Sequence, residues 1–131
     1  MRSAIVIDES LPTGLLANAV ACITTGLFHN EPDAVGPEIG GADCRFIPIT
    51  KIAILIFKKG GNDLKVLLET AKQHQLKYML FTYEGQSTTS YEQYIERVKG
   101  KRAQELKIVG IGVIGDDAVV KAFSKGLELL R

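Results

Sequence analysis

The side chains best suited to chemistry gather in two short segments. Asp8-Glu9 follows the apolar run Ala4-Ile5-Val6-Ile7, and Tyr83-Glu84-Gly85-Gln86-Ser87-Thr88-Thr89 follows the run Lys77 to Thr82. Both runs read as β-strands, and open α/β sheets hold their ligands outside the carboxyl ends of strands. If the two strands run in the same direction, Asp8, Glu9, Tyr83, Glu84, Ser87 and Thr88 reach one edge of the sheet. Carboxylates there could act as a general base or meet a cation, and hydroxyls could orient a substrate. Polar residues also collect at strand ends simply because loops are solvated.

Other motifs point less far. Gly110-Ile111-Gly112-Val113-Ile114-Gly115 spells G-x-G-x-x-G between a strand and a helix. A dinucleotide-binding unit also needs a following strand and an acid about twenty residues on. The sequence ends before either, so the glycines are expected to allow close packing. His29 and His74 have no partner at metal-ligand spacing, and no metal or cofactor is expected. Cys22 could be a nucleophile with His29 as base, but within an apolar helix a buried, inert thiol is the expectation. Asn18 is a lone polar group on that helix, facing either a pocket or a subunit contact. Lys58-Lys59 and Lys99-Gly100-Lys101-Arg102 read as solvated basic faces.

Composition narrows the classes. The 131 residues are 46% hydrophobic and 24% charged, and 16 Lys+Arg against 15 Asp+Glu leave a net charge of +1. That balance disfavours a dedicated nucleic-acid binder, which needs a surplus of cations to neutralise phosphates. The length suits one domain able to bury a continuous core. Cys22 and Cys44 read as free thiols of a reducing compartment, and acids at 8 and 9 interrupt the only signal-like opening, so a cytoplasmic protein is expected. Leu11 to Phe28 is uncharged, yet Pro12, Gly14, Asn18 and Gly26 argue for a buried helix rather than a membrane span.

The elements that position these residues follow from spacing. Ala4 to Ile7 forms the first strand. Leu15, Leu16, Ala19, Val20, Ile23 and Leu27 recur at helical spacing behind a cap at Ser10 or Thr13. Asn30 to Pro48 is dense in Gly and Pro and reads as a long loop. Thr50 to Phe57 is the strongest strand, followed by a Lys-Lys-Gly-Gly turn and a helix capped by Asn62. Lys77 to Thr82 is a third strand, Ser90 with Gln93 opens a polar helix to about Lys99, and Leu106 to Val113 is a fourth strand. A last helix, begun by Asp116-Asp117, is expected to run almost to Arg131. The alternation predicts an α/β fold with a largely parallel four-stranded sheet and helices on both faces.

The strand ending in Asp8, followed by Thr13-Gly14-Leu15-Leu16-Ala17-Asn18-Ala19, resembles the R-x-D-L…G-K-I-A-A-Q-x-x-H-A stretch of type II peptidyl-tRNA hydrolases. The likeness continues through Leu64 to Leu76, from Tyr83 to Ser87 against D-A-G-x-T, and in Ile108-Val109-Gly110-Ile111-Gly112 against V-L-G-I-G. It implies a mixed, mostly parallel four-stranded sheet in a three-layer α/β/α arrangement. Residue by residue, the family's lysine falls on Leu15, its glutamine on Ala19 and its histidine on Cys22. Tyr83 stands at the aspartate, Ser87 at its threonine and Lys107 at a later threonine. Asp8 keeps its residue type, and a one-residue slip puts Glu84 at the aspartate. Leucine cannot meet an RNA phosphate or polarise an ester. The chain is more similar to the domain-of-unknown-function 2000 family, a resemblance that implies a fold and no activity.

Three functions follow as expectations. The first is a protein that binds a small ligand or peptide terminus in a cleft lined by Asp8, Glu9, Asn18, Cys22, Tyr83, Glu84, Ser87 and Thr88, acidic enough to favour a cationic group. The second is a divergent ester or amide hydrolase with Glu84 or Asp8 as base, for which tRNA is a partner by fold analogy only. The third is a homodimeric interaction module in which the helix Leu11–Phe28, with its small residues Gly14, Ala17, Ala21 and Gly26, and the long glycine-rich loop form a subunit or partner surface. No membrane association is expected.

Overall fold

The computed structural model describes residues 1–131. Its central strand is β1 (Arg2–Ile7), where every residue from Ser3 to Ile7 is buried. β1 pairs in parallel with β4 (Ala53–Lys58) and antiparallel with β6 (Ile108–Gly115). β5 (Lys77–Thr82) joins β6 and the short β7 (Glu128–Leu129) joins β4, both antiparallel. The order is β5-β6-β1-β4-β7. The sheet is therefore mixed but five-stranded rather than four-stranded, and only one of its four pairings is parallel.

β1, β4 and β5 point the same way, because β5 is antiparallel to β6 and β6 is antiparallel to β1. Their carboxyl ends share one edge with the start of β6. This is the condition on which the grouping of Asp8 with Tyr83 to Thr88 depended.

Alternation along β1 divides the core. Ala4 and Val6 pack with α2 (Leu64–Gln73) and α5 (Asp117–Ser124), while Ile5 and Ile7 pack with α1 (Thr13–Phe28). α1 is not the buried helix its lack of charge suggests. Only Ala19, Ile23 and Leu27 are buried, and Gly14, Ala17, Asn18, Ala21, Cys22 and Thr25 lie exposed on its outer face.

The G-x-G pattern acts as a seat for this helix. A Cβ on Gly112 would stand 2.5 Å from Ile23 Cγ2, and one on Gly110 would stand 2.8 Å from Ile23 Cδ1. Ile111 and Val113, pointing the other way, join the opposite core.

Several boundaries move: β6 covers Ile108–Gly115 rather than Leu106–Val113, and α1 starts at Thr13 behind Pro12 without a side-chain cap from Ser10 or Thr13. The second strong strand begins at Ala53 rather than Thr50, because Thr50 Oγ1 accepts the Ile52 N–H at 3.1 Å and holds that segment out of the sheet. α2 is capped by Asp63, whose Oδ1 accepts the Lys65 N–H at 2.8 Å, whereas Asn62 Nδ2 donates to the Lys59 carbonyl. The last helix stops at Ser124, and the chain turns at Gly126 (φ 84°) to form β7. The long loop contains a 3₁₀ turn at Pro32–Ala34 and a hairpin of β2 (Ile39–Gly40) and β3 (Arg45–Phe46). No helix is long and apolar enough to cross a membrane.

Candidate functional site

Asp8 leaves β1 at the shared edge. Its Oδ1 accepts the Ser10 hydroxyl at 2.6 Å and the Ser10 N–H at 3.0 Å, which fixes the carboxylate through an Asx turn. Partial burial pushes its pKa up, but the two Ser10 hydrogen bonds and the positive charges of Lys59 and Lys107 outweigh that and hold it below the usual carboxylate range. The Oδ2 atom makes no hydrogen bond within the chain. Glu9 is spent differently: its carboxylate accepts the Gly60 N–H at 3.0 and 3.3 Å and ties the β1 end to the β4–α2 turn.

Lys59 and Lys107 are brought to Asp8 by the sheet. Lys59 follows β4, and its N–H donates to the Ile7 carbonyl at 2.9 Å. Lys107 precedes β6, and its ammonium lies 5.3 Å from the centre of the Tyr83 ring, a cation–π contact. The Lys107 N–H donates to both oxygens of Glu84 at 3.0 and 3.2 Å. Glu84 therefore clasps the helical turn α3 (Tyr83–Gln86) to the start of β6.

The remaining candidates serve the packing of α3. Ser87 Oγ donates to the Glu84 carbonyl at 3.3 Å and accepts from Arg97 Nη1 at 2.8 Å, and Thr88 Oγ1 donates to the Gly85 carbonyl at 2.7 Å. Asn18 Oδ1 accepts from Gln86 Nε2 at 3.2 Å, joining α1 to α3, and the Cys22 Sγ lies 3.9 Å from the same oxygen. Cys22 is exposed rather than buried. Tyr94, on α4 (Tyr91–Val98), covers Gly85, and burial pushes its phenol pKa up, helped by Tyr91 and Cys22. No hydrogen bond connects this group to Asp8 or Glu9.

A cavity of about 680 Å³ opens between the β4–α2 turn and the segment entering β6, and of the residues expected to form a cleft Glu84 alone lines it. Lys59, Lys65 and Lys107 line it together with Asp63, Glu84 and Glu105. This cavity therefore carries both signs of charge. Lys59, Lys65 and Lys107 escaped the sequence reading as site residues because a lysine beside a turn usually means only a solvated face. Their positions just after β4, in the first turn of α2 and just before β6 were the available signal.

Comparisons with known proteins agree with this architecture. A family model described as "Protein of unknown function (DUF2000)" matches residues 1–131. No curated protein sequence matches the chain. A solved structure of a protein of unknown function from Agrobacterium tumefaciens strain C58 is similar, with a TM-score of 0.86 at 16% identity, covering 99% of this chain and 97% of the other.

Proposed function

The chain belongs to the DUF2000 family of proteins of unknown function, and from that premise we propose that it binds a small ligand or peptide terminus in the cleft lined by Lys59 and Lys107. One observation carries this reading. Lys59 and Lys107 line the open cavity, and they are the same two lysines whose charges act on Asp8, which keeps an unbonded carboxylate oxygen, while Glu84, Ser87 and Thr88 are engaged in hydrogen bonds within the fold. Asp8 keeps a free acceptor, and Lys59, Lys65 and Lys107 keep free donors for a ligand. The same reading takes the fold as a three-layer, peptidyl-tRNA hydrolase II-like variant, works in the cytoplasm, and lacks that family's lysine because Leu15 stands there. The test is amide NMR of the full chain against pooled amino acids, dipeptides and phosphorylated metabolites. Saturable shifts at Lys59 and Lys107 that are lost in Asp8→Asn, with the fold retained, support it. An Asp8→Asn protein that binds normally, or that unfolds, makes the carboxylate irrelevant to ligands or purely structural.

A divergent hydrolase is the second reading, favoured by the ionised, Ser10-anchored Asp8, which could orient a water for attack on an ester or amide. Release of N-blocked aminoacyl groups from tRNA at low salt, with a type II hydrolase as positive control, decides it. Turnover abolished by Asp8→Asn supports catalysis, and no release above the buffer blank removes this reading.

A further inference from the structure

Three lysines and three acids line the same cavity, yet none of the lysines is ion-paired with any of the acids. The acids are engaged with backbone amides: Asp63 with the Lys65 N–H, Glu84 with that of Lys107, and Glu105 with that of Arg102 at 3.3 Å. The lysines have only weak partners. Lys59 Nζ reaches the Gly60 carbonyl at 3.2 Å, Lys65 Nζ reaches the Gln104 carbonyl at 3.2 Å, and Lys107 lies over the Tyr83 ring. Each ammonium has three donors, so most of this donor capacity faces the cavity or solvent.

The β4–α2 turn adds to it. The N–H groups of Gly61 and Asp63, both lining the cavity, make no hydrogen bond within the chain. At Gly61 nothing lies within 4 Å of where a Cβ would be, and its φ is outside the left-handed region. The fold itself does not demand glycine there, but a ligand approaching the backbone closely would.

We infer that the group recognised in this cleft is a phosphate-type dianion, held by Lys59, Lys65 and Lys107 with the Gly61 and Asp63 amides. This rests on the binding reading above and names the chemistry of its ligand. A doubly charged, acceptor-only tetrahedral group uses several ammonium and amide donors at once, which a neutral or cationic ligand cannot. The cavity has room for a small molecule attached to it.

The test titrates the full chain at low ionic strength with inorganic phosphate, glycerol 3-phosphate and acetate, following amide NMR shifts. Both phosphates are expected to shift Gly61, Asp63, Lys65 and Lys107 saturably, with acetate at least tenfold weaker. Tighter binding of the ester identifies a phosphate monoester as the source of the group, and equal binding identifies the free ion. Lys59→Met/Lys107→Met should weaken phosphate at least tenfold, the corresponding double arginine variant should restore most of it, and Lys125→Met, outside the cavity, should change nothing. Equal weakening by Lys125→Met, or phosphate shifts that track ionic strength alone, overturns the inference. So does phosphate failing while the metabolite pool still gives Asp8-dependent shifts, and in that case the binding reading survives. If neither perturbs the cleft, both fall.

Discussion

Asp8 acquires its low pKa from groups that reach it by separate routes. Ser10 lies two residues on in the same turn, whereas Lys59 and Lys107 arrive only through β4 and β6. Because the folded pKa is depressed, the stabilisation is complete above the unfolded carboxylate value of about 4 and is lost as the pH falls through the lower folded value. The difference in Tm between the parent chain and Asp8→Asn should therefore be flat from pH 8 to about pH 5 and shrink below about pH 4; a difference that grows on acidification would mean that Asp8 is not held ionised by these partners. Gly112 illustrates a residue-scale constraint of the opposite kind, steric rather than electrostatic. Gly112→Ala drives a methyl into Ile23 and should cost about 1–3 kcal/mol in urea unfolding. Combined with Ile23→Ala, the total loss should be less than the sum of the two single losses, because the clash has gone.

At the scale of elements, apolar periodicity located the strands and helices well but not their ends. Lys77–Thr82 and the Ser90 cap were legible because alternation and a local hydrogen-bond pattern both lie within a few residues. The cap of α2 was not, since Asn62 and Asp63 are equally good cap types and only the turn geometry selects between them. Asp63→Ala should accordingly cost about 1 kcal/mol and Asn62→Ala clearly less, measured by denaturant titration. An equal loss at both positions would contradict the Asp63 cap. The end of α5 was missed because Val119, Val120, Phe123, Leu127 and Leu130 keep a helix-like spacing through Gly126, and a strand of two residues is too short to show alternation. There Leu127 packs against the core and the Leu130 N–H donates to the Ile56 carbonyl at 2.9 Å, anchoring the reversed chain.

At the scale of the whole molecule, the uncharged outer face of α1 and the apolar hairpin residues Phe46 and Ile47, 55% and 74% exposed, are the surfaces on which self-association would act. If α1 forms a homodimer, light scattering should show about twice the monomer mass, and Ala17→Glu/Ala21→Glu should return it to monomer. A monomer at high concentration in the parent chain would exclude that arrangement. The sequence by itself determined the α/β class, the central buried strand, the main elements and the prominence of Asp8, because these rest on local periodicity, turn chemistry and residue type. Only the tertiary structure decided strand direction and order, and with them which side chains meet at the shared edge. Whether β5 lies beside β6 antiparallel, and whether Lys59 and Lys107 act on Asp8, depends on contacts between segments far apart in the chain, for which a single sequence carries no local signal. The same pairing gave Glu84 its hydrogen bond to the Lys107 N–H, while Ser87 and Thr88 found theirs within α3 and with Arg97, partners that are known only once the neighbours are in place.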